Sequence, residues 1–402
     1  TALSCTLLTT LLTSASAAKD INAGNYNAFA ISGETVTIKS GAIVQVGSPV
    51  IDGYKGSNSS IAVGQTNNNI TIEQGGKLNG RIYTRAAKIK DIIINGSIGA
   101  GPSNASIINF RSTTIEKIEV GQTGVLEGGI INSWFKNGGT ASGNSKIDNI
   151  DIKGEVKGGI KNQSGTMQTI TITGSVSGGI QNDDTMGTLK IESGGSVSGD
   201  IINNKTMQNI SVSGSTVNNN IQNSGTITNG VTITNSTIGG NIVNSGSNAN
   251  TGNISITGTS DVKGSIVNQN GANFTNSITL EQNSKLGGIS NNENSTMSGT
   301  LTLNGEVGTI TNAGKFDSTL TLSNKVGEIN NAEGGTISKD ITINQNGSVG
   351  AINNSGTMQA ITNNATTGTL TLTNSGGTID KVTNGTGATA TIRNQGKITN
   401  GI

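Results

Sequence analysis

The sequence predicts an all-β fold, a right-handed parallel β-helix with about 22 residues and three short strands per coil, roughly fifteen coils long. Three recurrences predict it. A glycine-rich phrase ending in Ile-x-Asn returns every twenty-odd residues, as in Val156-Lys-Gly-Gly-Ile160-Lys-Asn162 and Val176-Ser-Gly-Gly-Ile180-Gln-Asn182. An alternating phrase, as in Ile170-Thr-Ile172 or Leu320-Thr-Leu322, keeps the same period. A single Val, Ile or Leu stands just before the glycines, from Val156 to Val349. A unit this short cannot bury its own apolar face, so units must stack.

Each phrase has a physical role. In the anchor phrase, isoleucine recurs at Ile160, Ile180, Ile201, Ile221, Ile242, Ile266, Ile289, Ile310, Ile329 and Ile352. The asparagine two places later is expected to form a structural ladder of Asn162, Asn182, Asn203, Asn223, Asn244, Asn268, Asn291, Asn312, Asn331 and Asn354, with Asn132 one coil earlier. Stacked amides bond from coil to coil, and asparagine tolerates a left-handed turn. In the alternating phrase, period two sends Ile or Leu inward and Thr, Ser or Lys outward. Looser anchors are expected upstream at Ile51, Ile82, Ile107 and Ile130, and downstream at Val382 and Ile402. Long gaps from Ile51 to Ile82, Ile130 to Ile160 and Ile352 to Val382 then read as side loops. The third-phrase residue stands four before its anchor through Val262 and three before it from Leu286 onward, which predicts a tighter corner in the last third.

The ends depart from the repeat. Residues 1–17 read as the later part of a secretory signal: Leu7, Leu8, Leu11 and Leu12 form an apolar run before the small residues Ala15-Ser16-Ala17. A lipoprotein reading at Cys5 fits less well, because the apolar run follows the cysteine. Residues 18–50 are expected to form an N-terminal cap and irregular first coils that cover exposed strand edges. Residues 51–402 are the repeats, and the pattern implies a continuation past Ile402.

Composition narrows the chemistry. Of 402 residues, 60 are glycine and only 2% are aromatic, so the core is thin. Lys+Arg number 25 against Asp+Glu 24, which leaves no basic field for nucleic acid. The chain has no histidine, and its one cysteine, Cys5, falls in the leader, so His- and Cys-based catalysis and zinc sites are not expected. No cofactor and no metal are expected, since neither a calcium-binding Gly-Gly-x-Gly-x-Asp repeat nor a phosphate loop occurs. Carboxylates that register could bring together are Asp183, Asp184 and Asp200, or Asp151 and Glu155. None recurs at matching positions, so no catalytic residue is assigned and the chain is not expected to be an enzyme. Trp134, Phe135 and Lys136, in the insertion after Ile130, form a candidate partner-contact loop; Tyr54 and Tyr83 sit in early loops.

A leader followed by a long run of Gly-Gly-Ile-x-Asn and Ile-Thr-Ile coils resembles the passenger domains of bacterial autotransporters, most of all large passengers of the epsilonproteobacterial adhesin kind. The resemblance implies display at the cell surface or release, and an outer-membrane C-terminal barrel through which the passenger is threaded. A cysteine-free passenger suits such threading. The implied function is an adhesin or interaction rod that contacts a host-cell surface or a neighbouring bacterial cell. A purely structural stalk and a β-helix enzyme acting on polysaccharide are the alternatives.

Overall fold

The computed structural model describes residues 17–51, 54–55, 58–133 and 145–402. They form an all-β parallel solenoid. Seventeen coils stack through the anchor position, from Phe29 and Ile61 through Ile82, Ile107, Ile130 and Ile160 to Ile352, Leu372 and Ile392. At strand spacing this is a rod of about 75–80 Å.

Most coils hold three strands, but each repeat coil has four inward-facing patches. In one early coil, Thr166–Ile172 buries Met167, Ile170 and Ile172, Ser175–Val176 buries Val176, and Ile180–Asn182 buries Ile180 and Asn182. The Met167 patch lies beyond the three sequence phrases. Its stack continues through Met186, Met207, Ile227, Phe274, Met297, Phe316 and Ile337, all buried. The four stacks merge into one continuous core, and each aliphatic side chain so buried contributes on the order of 1.5–3 kcal/mol.

The corner that changes at Leu286 is matched by a second change. In early coils a turn separates Val176 from Ile180, whereas Lys285–Asn291 runs as one strand through Leu286 and Ile289. At the next corner the spacing widens, from Met167–Ile170 to Met297–Leu301 and Phe316–Leu320. Strand continuity across the first corner begins one coil earlier, in Asp261–Gln269, and the wider second corner already occurs at Ile227–Val231.

Three anchor assignments need correction. Ile61, not Ile51, pairs with Ile82, and Val50–Ile51 instead pairs antiparallel with Tyr54–Lys55. Downstream, Leu372 pairs with Ile352, while Val382 pairs with Ile361 in the register of the Ile-Thr-Ile phrase. The Val382 backbone N–H donates to the Gly401 carbonyl at 3.2 Å, which places Ile402 beside that same phrase. The stretch from Ile352 to Val382 is thus an ordinary coil without a side loop. The cause is an exchange of phrases: Leu372-Thr-Asn374 takes the anchor register, and Ile361-Thr-Asn363 takes the alternating one. Asn363 there starts a second ladder, donating to Asn384 Oδ1 at 2.8 Å.

Residues 17–44 pair in the same parallel manner as the repeats. Ala17–Ile21 lies beside Glu34–Ile38, Gly24–Tyr26 beside Ala42–Val44, and Phe29–Ser32 beside Ser59–Ile72.

The principal ladder runs from Asn109 to Asn394. Each Nδ2 donates to the Oδ1 of the next asparagine at 2.7–3.0 Å, with one wider step at Asn223. From Asn109 to Asn374 these side chains point inward from a strand and are buried, while Asn394 at the last rung is exposed. None has the left-handed conformation expected of a turn asparagine, which among the described residues falls at Asn58, Asn104, Asn235, Asn270 and Asn294 instead. Their position explains the chemistry. Where the chain leaves the strand, backbone carbonyls face the interior, and a buried carbonyl needs a donor. Asn162 Nδ2 supplies Gly165 O in its own coil and Thr185 O in the next, at 3.2 and 2.8 Å.

Candidate functional site

The residue just before each anchor isoleucine stands at a corner where successive coils nearly touch. At Gly129, Gly159 and Gly179 a Cβ would lie 2.2, 2.5 and 2.6 Å from the carbonyl oxygen of the next coil. Those carbonyls, on Gly159, Gly179 and Asp200, accept the N–H of Ile130, Ile160 and Ile180 at 2.8–3.0 Å. In the next four coils the same position carries side chains, Asp200, Asn220, Asn241 and Ser265.

The change of residue decides what happens to the neighbouring amides. Asn220 N–H donates to Asp200 Oδ1 at 3.0 Å, Asn241 N–H to Asn220 Oδ1 at 2.8 Å, and Ser265 N–H to Asn241 Oδ1 at 2.7 Å. Glycine has no oxygen to offer one coil earlier. The N–H groups of Gly159, Gly179 and Asp200 accordingly have no acceptor among the described residues. They form a row of three donors, spaced by about 4.8 Å, one coil each.

This row is the floor of a groove of about 360 Å³. Its wall is the outward-facing rank Ile131, Lys161, Gln181 and Ile202, which pair in register. Ser103 and Asn104 close one end, both with positive φ in the turn Pro102–Asn104. Asp200 closes the other. Its carboxylate points into the following coil, where it also accepts Asn220 Nδ2 and Gln222 Nε2, each at 3.1 Å. Among the described residues Lys161 enters no ion pair, so its ammonium is available along the wall.

The other candidate carboxylates serve coil-to-coil bonding. Asp183 accepts Gln181 Nε2 and Asn204 Nδ2, at 2.8 and 2.7 Å, and Asp184 Oδ2 accepts Gly165 N–H at 2.8 Å. Asp151 faces Lys117 at 3.8 Å, within a cluster where Glu119 lies between Lys117 and Lys153. Hydrogen bonds from both lysines hold the Glu119 carboxyl below the ordinary glutamate range. Glu155 pairs with Val125 and Ser175 on another face. Among the described residues no three Asp, Glu, Cys or His side chains are grouped to hold a metal ion.

Trp134, Phe135 and Lys136 lie outside the described residues. Tyr83 stacks against Phe110, with ring centroids 5.6 Å apart, while the Arg81 and Arg111 guanidinium groups lie over the two rings. Through Ile108, Tyr83 belongs to the same outward rank as Ile131 and Lys161. The groove itself escaped the sequence reading. The signal for it was the switch from Gly at 129, 159 and 179 to Asp or Asn at 200, 220 and 241.

No protein-family model, no curated protein and no solved structure matches the chain.

Proposed function

We propose that this chain is a surface-displayed interaction rod of the autotransporter-passenger type, an adhesin that attaches a bacterial cell to a host surface or to a neighbouring cell. The observation that carries the reading is the pairing of a long solenoid with a lateral groove whose amide donors are unused among the described residues. A solenoid sets its contact face far from its base, and its binding surface follows the stack of repeats. A single cysteine, at Cys5, leaves no intrachain disulfide to obstruct a passenger threaded in extended form. The repeat phrases carry the family resemblance, and attachment is the activity that it implies.

The test is competition. Purified chain, added in solution, should bind target cells and block attachment by cells that display it. A chain that binds no cell and leaves attachment unchanged would overturn the reading. A purely structural stalk, the second reading, is favoured by the regularity of the coils. It predicts that replacing groove residues leaves attachment intact, whereas removing whole coils abolishes it.

A further inference from the structure

We propose that the groove between Asn104 and Asp200 binds an acidic oligosaccharide, whose oxygens accept the N–H groups of Gly159, Gly179 and Asp200 and whose negative charge is met by Lys161. This inference rests on the interaction-rod reading and names the ligand class of that same site.

The chain supplies its own template for the ligand. In the coils that follow, a side-chain oxygen of Asp200, Asn220 or Asn241 sits over the equivalent N–H at 2.7–3.0 Å. In the coils of the groove that place is open, and what fills it must bring acceptor oxygens at the coil repeat. Successive backbone N–H groups facing one way favour negative charge. A carboxylate oxygen gains most there, since charge-assisted hydrogen bonds are roughly twice as strong as neutral ones.

The donors also discriminate between polymers. An added peptide strand needs donors and acceptors in alternation along its backbone. The floor of the groove offers backbone donors alone, because the carbonyls of Gly159, Gly179 and Asp200 are engaged by Ile130, Ile160 and Ile180. A chain of uronate rings, one carboxylate per ring, presents acceptors without backbone donors. Its apolar C–H faces suit Ile131 and Ile202, and Lys161 lies between these two along the wall.

The test is calorimetric titration of the full chain, at low salt, with a short 1,4-linked oligogalacturonate and with its carboxyl-reduced counterpart. The acidic oligomer should bind, and the reduced one should bind at least about tenfold more weakly. Lys161→Gln, a change at a half-buried, outward-facing position, should weaken binding of the acidic oligomer by roughly tenfold. Gly179→Asn should abolish it by setting a side-chain oxygen over the Asp200 N–H, with circular dichroism confirming that the solenoid persists.

Equal binding of the reduced oligomer, or an unchanged affinity in Lys161→Gln, would overturn the proposal. Tighter binding of an oligoglutamate of equal charge would overturn it in favour of an acidic protein partner. Cell attachment that survives both substitutions would sink the glycan site while leaving the rod intact. Binding of oligogalacturonate by a chain that attaches to no cell would do the reverse.

Discussion

Asn223 and Asn244 stand 3.4 Å apart, Nδ2 to Oδ1, at the widest step of the ladder, and Thr251 spans the gap between them. Thr251 Oγ1 accepts Asn223 Nδ2 at 2.9 Å and donates to Asn244 Oδ1 at 3.0 Å. It does so from a position that holds Met207, Ile227 or Phe274 in neighbouring coils. One hydroxyl inside an apolar stack is thus explained by a polar ladder that passes beside it.

Thr251→Val keeps the shape and removes the bridge. It should cost about 0.5–1.5 kcal/mol, localised to the coils that carry Asn223 and Asn244. Native-state amide hydrogen exchange would show faster exchange in those two coils, with the remaining coils unaffected. Unchanged or slower exchange there would mean that the direct amide contact suffices.

Asn182 is the stronger test of the ladder. Its Nδ2 donates to Asn203 Oδ1, Asp184 O and Thr206 O, all within 3.0 Å, and its Oδ1 accepts Asn162 Nδ2. Asn182→Leu matches the size but strips partners from several buried groups at once, and each orphaned group costs about 1–3 kcal/mol. Denaturation of a fragment-free, full-length sample should show a large loss of stability, whereas Gln181→Leu one residue away, facing outward, should stay within about 0.5 kcal/mol. Similar effects at the two positions would show that burial of the amide, and its bonds, count for little.

The repeat was legible wherever one residue type held one position, as with the anchors from Ile160 to Ile352. It was not legible where two phrases satisfy the same pattern. Ile361-Thr-Asn363 and Leu372-Thr-Asn374 both fit the Ile/Leu-x-Asn pattern, neither is among the anchors expected from the sequence, and only pairing with Ile341 and Ile352 separates them. The Met167 stack was hidden for another reason. A corner separates Met167 from Ile170, so the period-two alternation breaks between two residues that face the same core. The groove was hardest to read because it is made of backbone N–H groups and missing side chains. Its floor is defined by what Gly159 and Gly179 lack.

Gly174 illustrates how tightly the corners are built. A Cβ there would lie 2.1 Å from the Gly154 carbonyl oxygen, which is backbone and cannot move aside alone. Gly174→Ala should destabilise the stack by about 1–3 kcal/mol through overpacking. The same position carries Ser215, Ser236 and Ser260 in later coils, where Ser215 N–H donates to Ser236 Oγ at 3.1 Å. A side chain at this corner is therefore tolerated where the neighbouring coil is built around one. The double substitution Gly154→Ser with Gly174→Ser sets a second Cβ 2.3 Å from the Gly121 and Gly124 carbonyl oxygens, so its loss in thermal melts should exceed that of Gly174→Ser alone, and a recovery would refute the overpacking account.

Glu119 makes part of the stability depend on pH. Its carboxyl is bonded to Lys117 and Lys153 and is only 19% exposed, with Asp151 as a further partner for Lys117 and Asp91 acting on that lysine from the preceding coil. The folded state holds the Glu119 pKa below its unfolded value. Its contribution is therefore fully present above the unfolded pKa and is lost as pH falls through the folded one. Lys117, whose pKa is raised by its bond to Glu119, remains charged throughout that window, so the change belongs to the carboxylate. Partial exposure limits the effect to about 1 kcal/mol or less. Denaturant midpoints measured against pH should show wild type more stable than Glu119→Gln at neutral pH, with the two curves converging under acid conditions. High salt should shrink the gap at neutral pH, because screening weakens partly exposed pairs. Curves that stay parallel down through the acid range would show that the Lys117–Glu119–Lys153 cluster adds nothing to folding.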